Sequence, residues 1–365
     1  RDLRMSRGLG DVYKRQVAKK AGVSLSTVSL VVNGNGYVSD DMRDRVRKAM
    51  QALNYVPNEL ARNLYHDRTN LVGVIVPTIR HPFFATFTAH LQHALAAQGL
   101  RTMLCSTADE ADGEIQYVDM LRRHMMDGIV MCAHTSHPGD YWTSIHRPIV
   151  AFDRVLGDGI SSIGSDHEQG GRLIAQMLIR NGAKHVVMIG GPRDQFFDLA
   201  ARGEVEEGPF DLGKTTFPTV RYYLTLEQEL TSAGVKYEYV EAGEVMDFAG
   251  YHRAVSNALD KVTTDGVDAV VSSDIGAALC VREAMRRHIS IPRDLQIIAY
   301  DGTYLTDLAG MKMTAVAQNF DKIAQVAVGN IVRAIAKEGD AKADATSATG
   351  RKPYEPDVLI PVTLK

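Results

Sequence analysis

Val17-Ala-Lys-Lys-Ala-Gly-Val-Ser-Leu-Ser-Thr-Val-Ser-Leu-Val-Val-Asn33 packs two short helices and a tight turn at Gly22 into one run. Apolar residues at Val17, Ala18, Ala21, Val23, Val28, Val31 and Val32 give each helix one buried stripe, and the turn lets the stripes share a small core. Ser24 is placed to cap the second helix by accepting from the free N–H groups of its first turn. That helix then presents Leu25, Ser26, Thr27, Ser29 and Leu30, with Asn33 at its end, as short side chains able to reach base edges in a major groove. The stretch reads as a helix-turn-helix, with a plain helical hairpin as the alternative.

Working outward, the sixteen residues before Val17 lack apolar periodicity and are expected to lie outside the fold as an unmatched leader. Their last turn would start the first helix, with Val12 and Tyr13 filling core positions. After the turn-rich Asn33-Gly-Asn-Gly36, Ser39 caps a third helix with Asp40 and Asp41 in its first turn, favourable to the helix dipole. Met42, Val46, Met50 and Leu53 recur at helical spacing and would close the core. Pro57 breaks the helix, and 58–64 reads as a further helix of about two turns, too short to be stable alone. It leads into a polar linker ending at Asn70.

From Leu71 the pattern becomes strand alternating with amphipathic helix. Strands are expected at 71–77, 102–106, 128–132, 149–152, 161–164, 185–190, 236–240, 269–272, 295–300, 313–317 and 358–362. Helices are expected near 83–98, 113–125, 168–181, 223–233, 250–261, 275–288 and 320–338. Near-continuous apolar strands separated by helices mean parallel sheets covered on both faces. The fold class is therefore a small all-α domain followed by α/β, with two doubly wound parallel-sheet subdomains. The domain expectation is leader 1–16, helix-turn-helix 17–56, hinge and linker 57–70, and body 71–365. Segment 194–219, rich in Gly and acidic residues, interrupts the order and reads as an insertion or lid.

The 365 residues suit two or three compact units. No run reaches the roughly 20 apolar residues of a membrane span, and no secretory signal is evident. Cys105, Cys132 and Cys280 each sit in an apolar run, as buried thiols of a reducing compartment would. A cytoplasmic location is expected. Residues 1–70 carry 13 Lys and Arg against 7 Asp and Glu, a balance of +6, whereas the remainder stands at −9. A basic head on an acidic body suits a phosphate-binding module joined to a body that does not bind nucleic acid.

Together, the VAKKAGVSLSTVSLVVNG run at 17–34, the NYVPNELARNL stretch at 54–64 and the body resemble the LacI/GalR family of bacterial transcription repressors. The resemblance covers nearly everything from Val17 on. It implies a second helix in the major groove, read out by Leu25, Ser26 and Leu30. It also implies paired hinge helices in the minor groove, with Leu64 wedged between bases and Asn58 and Ala61 at other hinge positions. Leu30 stands where many relatives carry arginine, so its contact is apolar, for example to a thymine methyl. Packing of Leu30 in the helical core is the alternative.

For the body, the resemblance implies a type I periplasmic-binding-protein-like fold with an effector cleft between subdomains, at the carboxyl ends of strands. Phe83 and Phe84 would stack on a ring, and Asp153 would accept ligand hydroxyls. Arg221 matches a helix start whose arginine grips the effector, and Ser273 replaces an asparagine. Asp301, Gln318 and Phe320 match the last cleft positions. Each also has a plain structural reading: Asp153 and Asp301 as loop caps, Phe83 and Phe84 as helix-start core, Arg221 as a surface charge. Carboxylates flanked by aromatics favour a neutral polyol such as a sugar over a purine or a phosphorylated ligand.

The expected function is a homodimeric repressor released from double-stranded operator DNA by a sugar-like effector. The alternatives are a solute-binding protein of a transport system and a sugar hydrolase using Asp153 and Asp301. The latter would need a carboxylate whose surroundings raise its pKa, and the sequence shows none. No cofactor and no metal are expected, since His134 and His137 share a loop without a carboxylate or cysteine cluster and read as solvated. The polar tail at 340–351 offers no heptad for a tetramer.

Overall fold

A computed structural model describes residues 2–33, 36–56, 68–108, 113–133, 137, 140–198, 215–245, 247–339 and 358–365, with 2–11 and 339 by backbone only. It divides into two units, Arg1–Thr69 and Asn70–Lys365. The hinge candidates Asn58, Ala61 and Leu64, and His134, lie outside the described residues.

In the first unit, α1 spans Asp2–Ala21, α2 Leu25–Asn33 and α3 Asp40–Ala52. Val17, Ala18, Ala21, Val28, Val46 and Ala49 form the core, with Val23, Val31, Val32, Met50 and Leu53 packed partly against it. Gly22 takes a φ of +64°, which a side chain would resist, and lets α2 turn back on α1. The Ser24 hydroxyl accepts from Thr27 N at 3.1 Å and the Ser39 hydroxyl from Met42 N at 3.4 Å, so both expected caps form.

Two expectations fail here. The helix of the leader continues into the first helix, α1 running unbroken from Asp2; once a turn exists, adding a residue upstream costs little. Val12 is exposed, and Tyr13, 46% exposed, instead stacks on Tyr55 at 6.2 Å. Met42 is also exposed, since the first turn of α3 faces outward and Ala49 takes the expected core place.

Among the described residues the second unit holds two six-stranded sheets. One contains β1 (Leu71–Val76), β2 (Arg101–Ser106), β3 (Gly128–Met131), β4 (Ile149–Phe152), β5 (Ser161–Ser165) and a late strand, Val358–Ile360. Its order is Val358–Ile360, β5, β4, β3, β1, β2, all parallel. The other contains β6 (His185–Gly190), β7 (Lys236–Glu241), β8 (Ala269–Ser273), β9 (Gln296–Asp301), β10 (Thr314–Ala317) and Thr363–Leu364. Its order is Thr363–Leu364, β10, β9, β8, β6, β7, with only the first pair antiparallel.

Alternate residues of each strand feed two cores. In the first sheet Val72, Val74 and Val76 pack on one face against Phe83, Phe87, Leu91 and Ile331, while Ile75, Ile129 and Met131 pack on the other against Val118, Leu121 and Trp142. In the second sheet Val187 and Ile189 face one core and Val186 and Met188 the other. Burial on both faces is why these strands read as apolar runs. All three cysteines are buried free thiols. Among the described residues no helix is long and apolar enough to cross a membrane.

The strand expected over 358–362 is divided between the two sheets. Pro361 lacks an N–H and cannot continue a ladder, so Val358–Ile360 pairs with β5 and Thr363–Leu364 crosses to β10. The chain thus passes between the sheets three times, and the passages are stitched together. Asp166 N donates to Ile360 O at 2.8 Å, Val362 N to Gln169 Oε1 at 2.9 Å, and Ser165 Oγ to Gln318 Oε1 at 2.6 Å. The described ends of segment 194–219 are no loose lid: Phe196 and Thr215 are buried, and Thr215 donates to Gln195 O at 2.7 Å.

Candidate functional site

A cavity of about 160 Å³ opens between the two sheets of the second unit, at the carboxyl ends of their strands. That is room for roughly ten waters at the ~10–15 Å³ each needs, the scale of a monosaccharide. Of the residues expected there, Phe83, Phe84, Asp153, Ser273, Asp301 and Gln318 line it. Asp153 ends β4 with a φ of 45° and Asp301 ends β9 with a φ of 126°. Positive φ at a non-glycine residue costs about 1–3 kcal/mol and tends to persist where it aims a side chain at a site.

Two expected cleft residues lie elsewhere. Arg221 opens the helix Arg221–Ser232 but is buried beside Glu168, Nη1 to Oε1 3.9 Å, and the cavity wall beside it is formed by Tyr222 and Tyr223. A one-residue offset on a helix turns a side chain by about 100°, and the insertion before it blurred that register. Phe320 opens the helix Phe320–Gly339 and packs in the core, 5.5 Å from Phe83 and 5.8 Å from His90. It supports Phe83 from behind and takes no place in the wall.

The structure adds residues that sequence reading did not single out. Arg154, buried, faces the cavity with its guanidinium 5.3 Å from the Phe217 ring, Nε donating to Ala133 O at 3.3 Å and Nη1 to Asp153 O. Burial lowers its pKa to about 10, opposed by Asp153, so it stays cationic at neutral pH. His81 caps the helix Pro82–Ala97, Nδ1 accepting from Phe83 N at 3.3 Å, and burial lowers its pKa to about 4. It is a neutral ring. Both neighbour residues already suspected, and a charged or capping group at a strand end was the signal available.

The two carboxylates have different partners. Asp153 Oδ1 lies 3.1 Å from His167 Nε2, and His167 Nδ1 lies 2.7 Å from the Tyr300 hydroxyl. Asp301 accepts from Gln318 Nε2 at 2.9 Å. Burial, then the nearby charge of Asp274, pushes the Asp301 carboxyl well above its usual range. Burial also raises Asp274 to about 6, against hydrogen bonds from Thr303 and Gly302. A raised carboxyl, absent from the sequence reading, is therefore present at Asp301. Tyr222 lies flat on Tyr300, 3.9 Å and 8° apart, extending the aromatic wall.

His137 is not solvated as expected. Its Nε2 pairs with the buried Glu114, and its ring stacks on Tyr141 at 3.8 Å. Among the described residues no group of His, Cys, Asp and Glu could hold a metal.

On the first unit, Leu25, Ser26 and Leu30 are exposed on α2, while Thr27, Ser29 and Asn33 are half-buried. Asn33 Nδ2 donates to Ser29 Oγ at 3.3 Å, and the hydroxyls of Ser26 and Thr27 lie 2.7 and 2.9 Å from that of Ser24. Leu30 stays 37% exposed although it borders Gly36, so packing does not consume it. Arg45, Arg47 and Lys48 are exposed on α3, cations available to phosphates.

Residues 15–58 match the model of bacterial regulatory proteins, lacI family. Residues 69–204 match periplasmic binding proteins and sugar binding domain of LacI family, and 175–351 a periplasmic binding protein-like domain. The chain is 31% identical over 319 residues to a sucrose operon repressor of Streptococcus mutans, covering 87% of this chain and 91% of that one. It is 32% identical over 297 residues to the ribose operon repressor of Bacillus subtilis, covering 79% and 80%. The fold superposes on a crystal structure of the lac repressor bound to ONPG with a TM-score of 0.71 at 20% identity, over 96% and 97% of the two chains.

Proposed function

Because the chain belongs to the lacI family of bacterial regulatory proteins, we propose that it represses transcription by holding a two-fold operator as a cytoplasmic homodimer, and that a sugar in its cleft releases it. The observation that carries this reading is the pairing, on one chain, of a helix-turn-helix with a strand-end cavity lined by Asp153, Asp301 and aromatic rings. It is a regulator and not an enzyme.

Residues 17–56 serve as the reading head, 57–70 as the hinge and 71–365 as the effector and dimerisation body. Leu25, Ser26, Thr27, Ser29, Leu30 and Asn33 face the operator, and Asn58, Ala61 and Leu64 act in the hinge. A single small head binds weakly, and two heads on a two-fold site multiply both affinity and specificity. In the cleft, Asp153 and Asp301 meet ligand hydroxyls, Gln318 and Ser273 add polar contacts, and Phe83 and Phe84 stack on the sugar ring. Relatives named as sucrose and ribose operon repressors support a sugar. The wall belongs to both sheets, so a ligand that draws them together works against the stitched passages at Ser165, Gln318 and Val362. Coupling of that motion to the heads lowers operator affinity through linkage.

A gel shift of the dimer on the DNA upstream of its own gene, with and without D-ribose, D-fructose, D-glucose and sucrose, tests the reading. Retardation that one sugar abolishes supports it; retardation untouched by every sugar removes the sugar as inducer, and no retardation removes the repressor.

A further inference from the structure

Among the described residues five tyrosines face the cavity, and three of them spend their phenolic protons within the protein. Tyr223 donates to Ile189 O at 2.9 Å and Tyr239 to Gly191 O at 2.8 Å. Tyr300 meets His167 Nδ1 at 2.7 Å, and because His167 Nε2 faces the Asp153 carboxylate, Nδ1 is the acceptor of that pair. Tyr222 lies flat on Tyr300, 3.9 Å and 8° apart, and turns its ring to the cavity. These four walls offer ring faces.

Tyr251 differs. It stands on the helix Phe248–Thr264, buried to 5% exposure, and its oxygen accepts from Ser273 Oγ at 3.2 Å. That bond uses a lone pair and leaves the phenolic proton without an acceptor among the described residues. Gly276 lets the helix Asp274–Arg286 pack close here, since a Cβ there would lie 2.0 Å from Ser272 Oγ and 3.3 Å from Tyr251 Cδ1. The Ser273 bond holds the ring against β8, and Asp301 lines the same cavity. A buried hydroxyl proton left unmatched in a cavity wall costs free energy unless water or a ligand accepts it.

We propose that Tyr251 is a specificity-determining residue of the cleft, donating its phenolic proton to an oxygen of the effector while Asp301 engages the neighbouring one. This rests on the sugar-effector reading above and narrows it to polyols that present two adjacent oxygens to that corner. Ser273 is a positioning residue: by donating to the phenol it turns the Tyr251 proton toward the ligand.

Titration calorimetry of the full-length dimer with D-ribose, D-fructose, D-glucose and sucrose, then with monodeoxy derivatives of each sugar that binds, decides the point. Y251F keeps the ring and is expected to keep the melting temperature and the operator shift while binding the sugar about five- to tenfold more weakly, the worth of one buried hydrogen bond. One deoxy derivative should lose affinity for the unaltered protein yet bind Y251F and the unaltered protein alike. S273A should lose less than Y251F. Equal sugar affinity in Y251F, or an equal loss for every derivative, overturns the contact and leaves the sugar reading standing. Failure of all four sugars to bind the unaltered protein overturns the sugar reading and this contact with it.

Discussion

Asp153 and His167 lie 3.1 Å apart, carboxylate oxygen to Nε2, joining the end of one sheet to the first turn of the helix that leads to the other. His167 Nδ1 then meets the Tyr300 hydroxyl of the second sheet, so a cavity carboxylate is linked through one imidazole to both halves of the body. H167A leaves two buried polar groups unpartnered. At about 1–3 kcal/mol each, the loss of stability should be about 2–6 kcal/mol in urea unfolding of the dimer at fixed concentration. A loss below about 0.5 kcal/mol, the scale of an unimportant surface change, would show that the link holds nothing.

The raised carboxyl of Asp301 fixes a pH dependence. Its folded pKa lies above the unfolded value, so the folded state holds a proton that the unfolded chain releases. The associated stability is complete below about pH 4, the ordinary range of the group, and is lost as pH rises through the folded pKa. Asp274, raised to about 6, contributes in the same direction between about pH 4 and 6. D301N, shaped like the neutral acid, should become more stable relative to the unaltered protein as pH rises from 4.5 to 8. Urea midpoints that run parallel across that range would contradict this.

Most of the architecture was legible in the sequence because both sheet faces are buried, which leaves apolar runs bounded by turn residues. The cleft was legible where a side chain closes a strand, as with Asp153, Ser273, Asp301 and Gln318, and at one helix start, Phe83 and Phe84. Arg221 and Phe320 misled because each opens a helix, where one residue of offset decides between wall and core. Tyr239 and Tyr251 were invisible because they reach the cavity from mid-strand and from the first turn of a helix, and only packing reveals that. Val358–Leu364 hid its crossing between sheets because a single proline was the only mark of the break.

Arg193 clamps the cavity wall. Its guanidinium meets Glu227 through two bonds of 2.6 and 2.9 Å and lies 4.2 Å from the Phe196 ring. Glu227 is buried whereas the arginine is about a third exposed, so R193M strands a buried carboxylate. The expected cost is about 2–3 kcal/mol, at or below the low end for a broken buried pair, with weaker sugar binding. R193M/E227M should recover much of the stability, which chemical denaturation of the three variants would read.

Leu30, exposed on α2, is expected to touch one base pair per half-site. L30A should cost about 1–3 kcal/mol at that pair alone and leave the salt dependence unchanged, because no phosphate contact is lost. Competition gel shifts across single-base operator variants would show it. A uniform loss on every variant would assign Leu30 to the helical core.

Filling the cleft should empty the operator. Fluorescence anisotropy of labelled operator bound by the dimer, titrated with the sugar that binds the cleft, measures this. A fall in operator affinity of about 5- to 150-fold, the usual reach of allosteric coupling, abolished when Asp153 is replaced by alanine, is the result the account predicts. Unchanged operator affinity with the cleft saturated, or an equal fall in D153A, would contradict it.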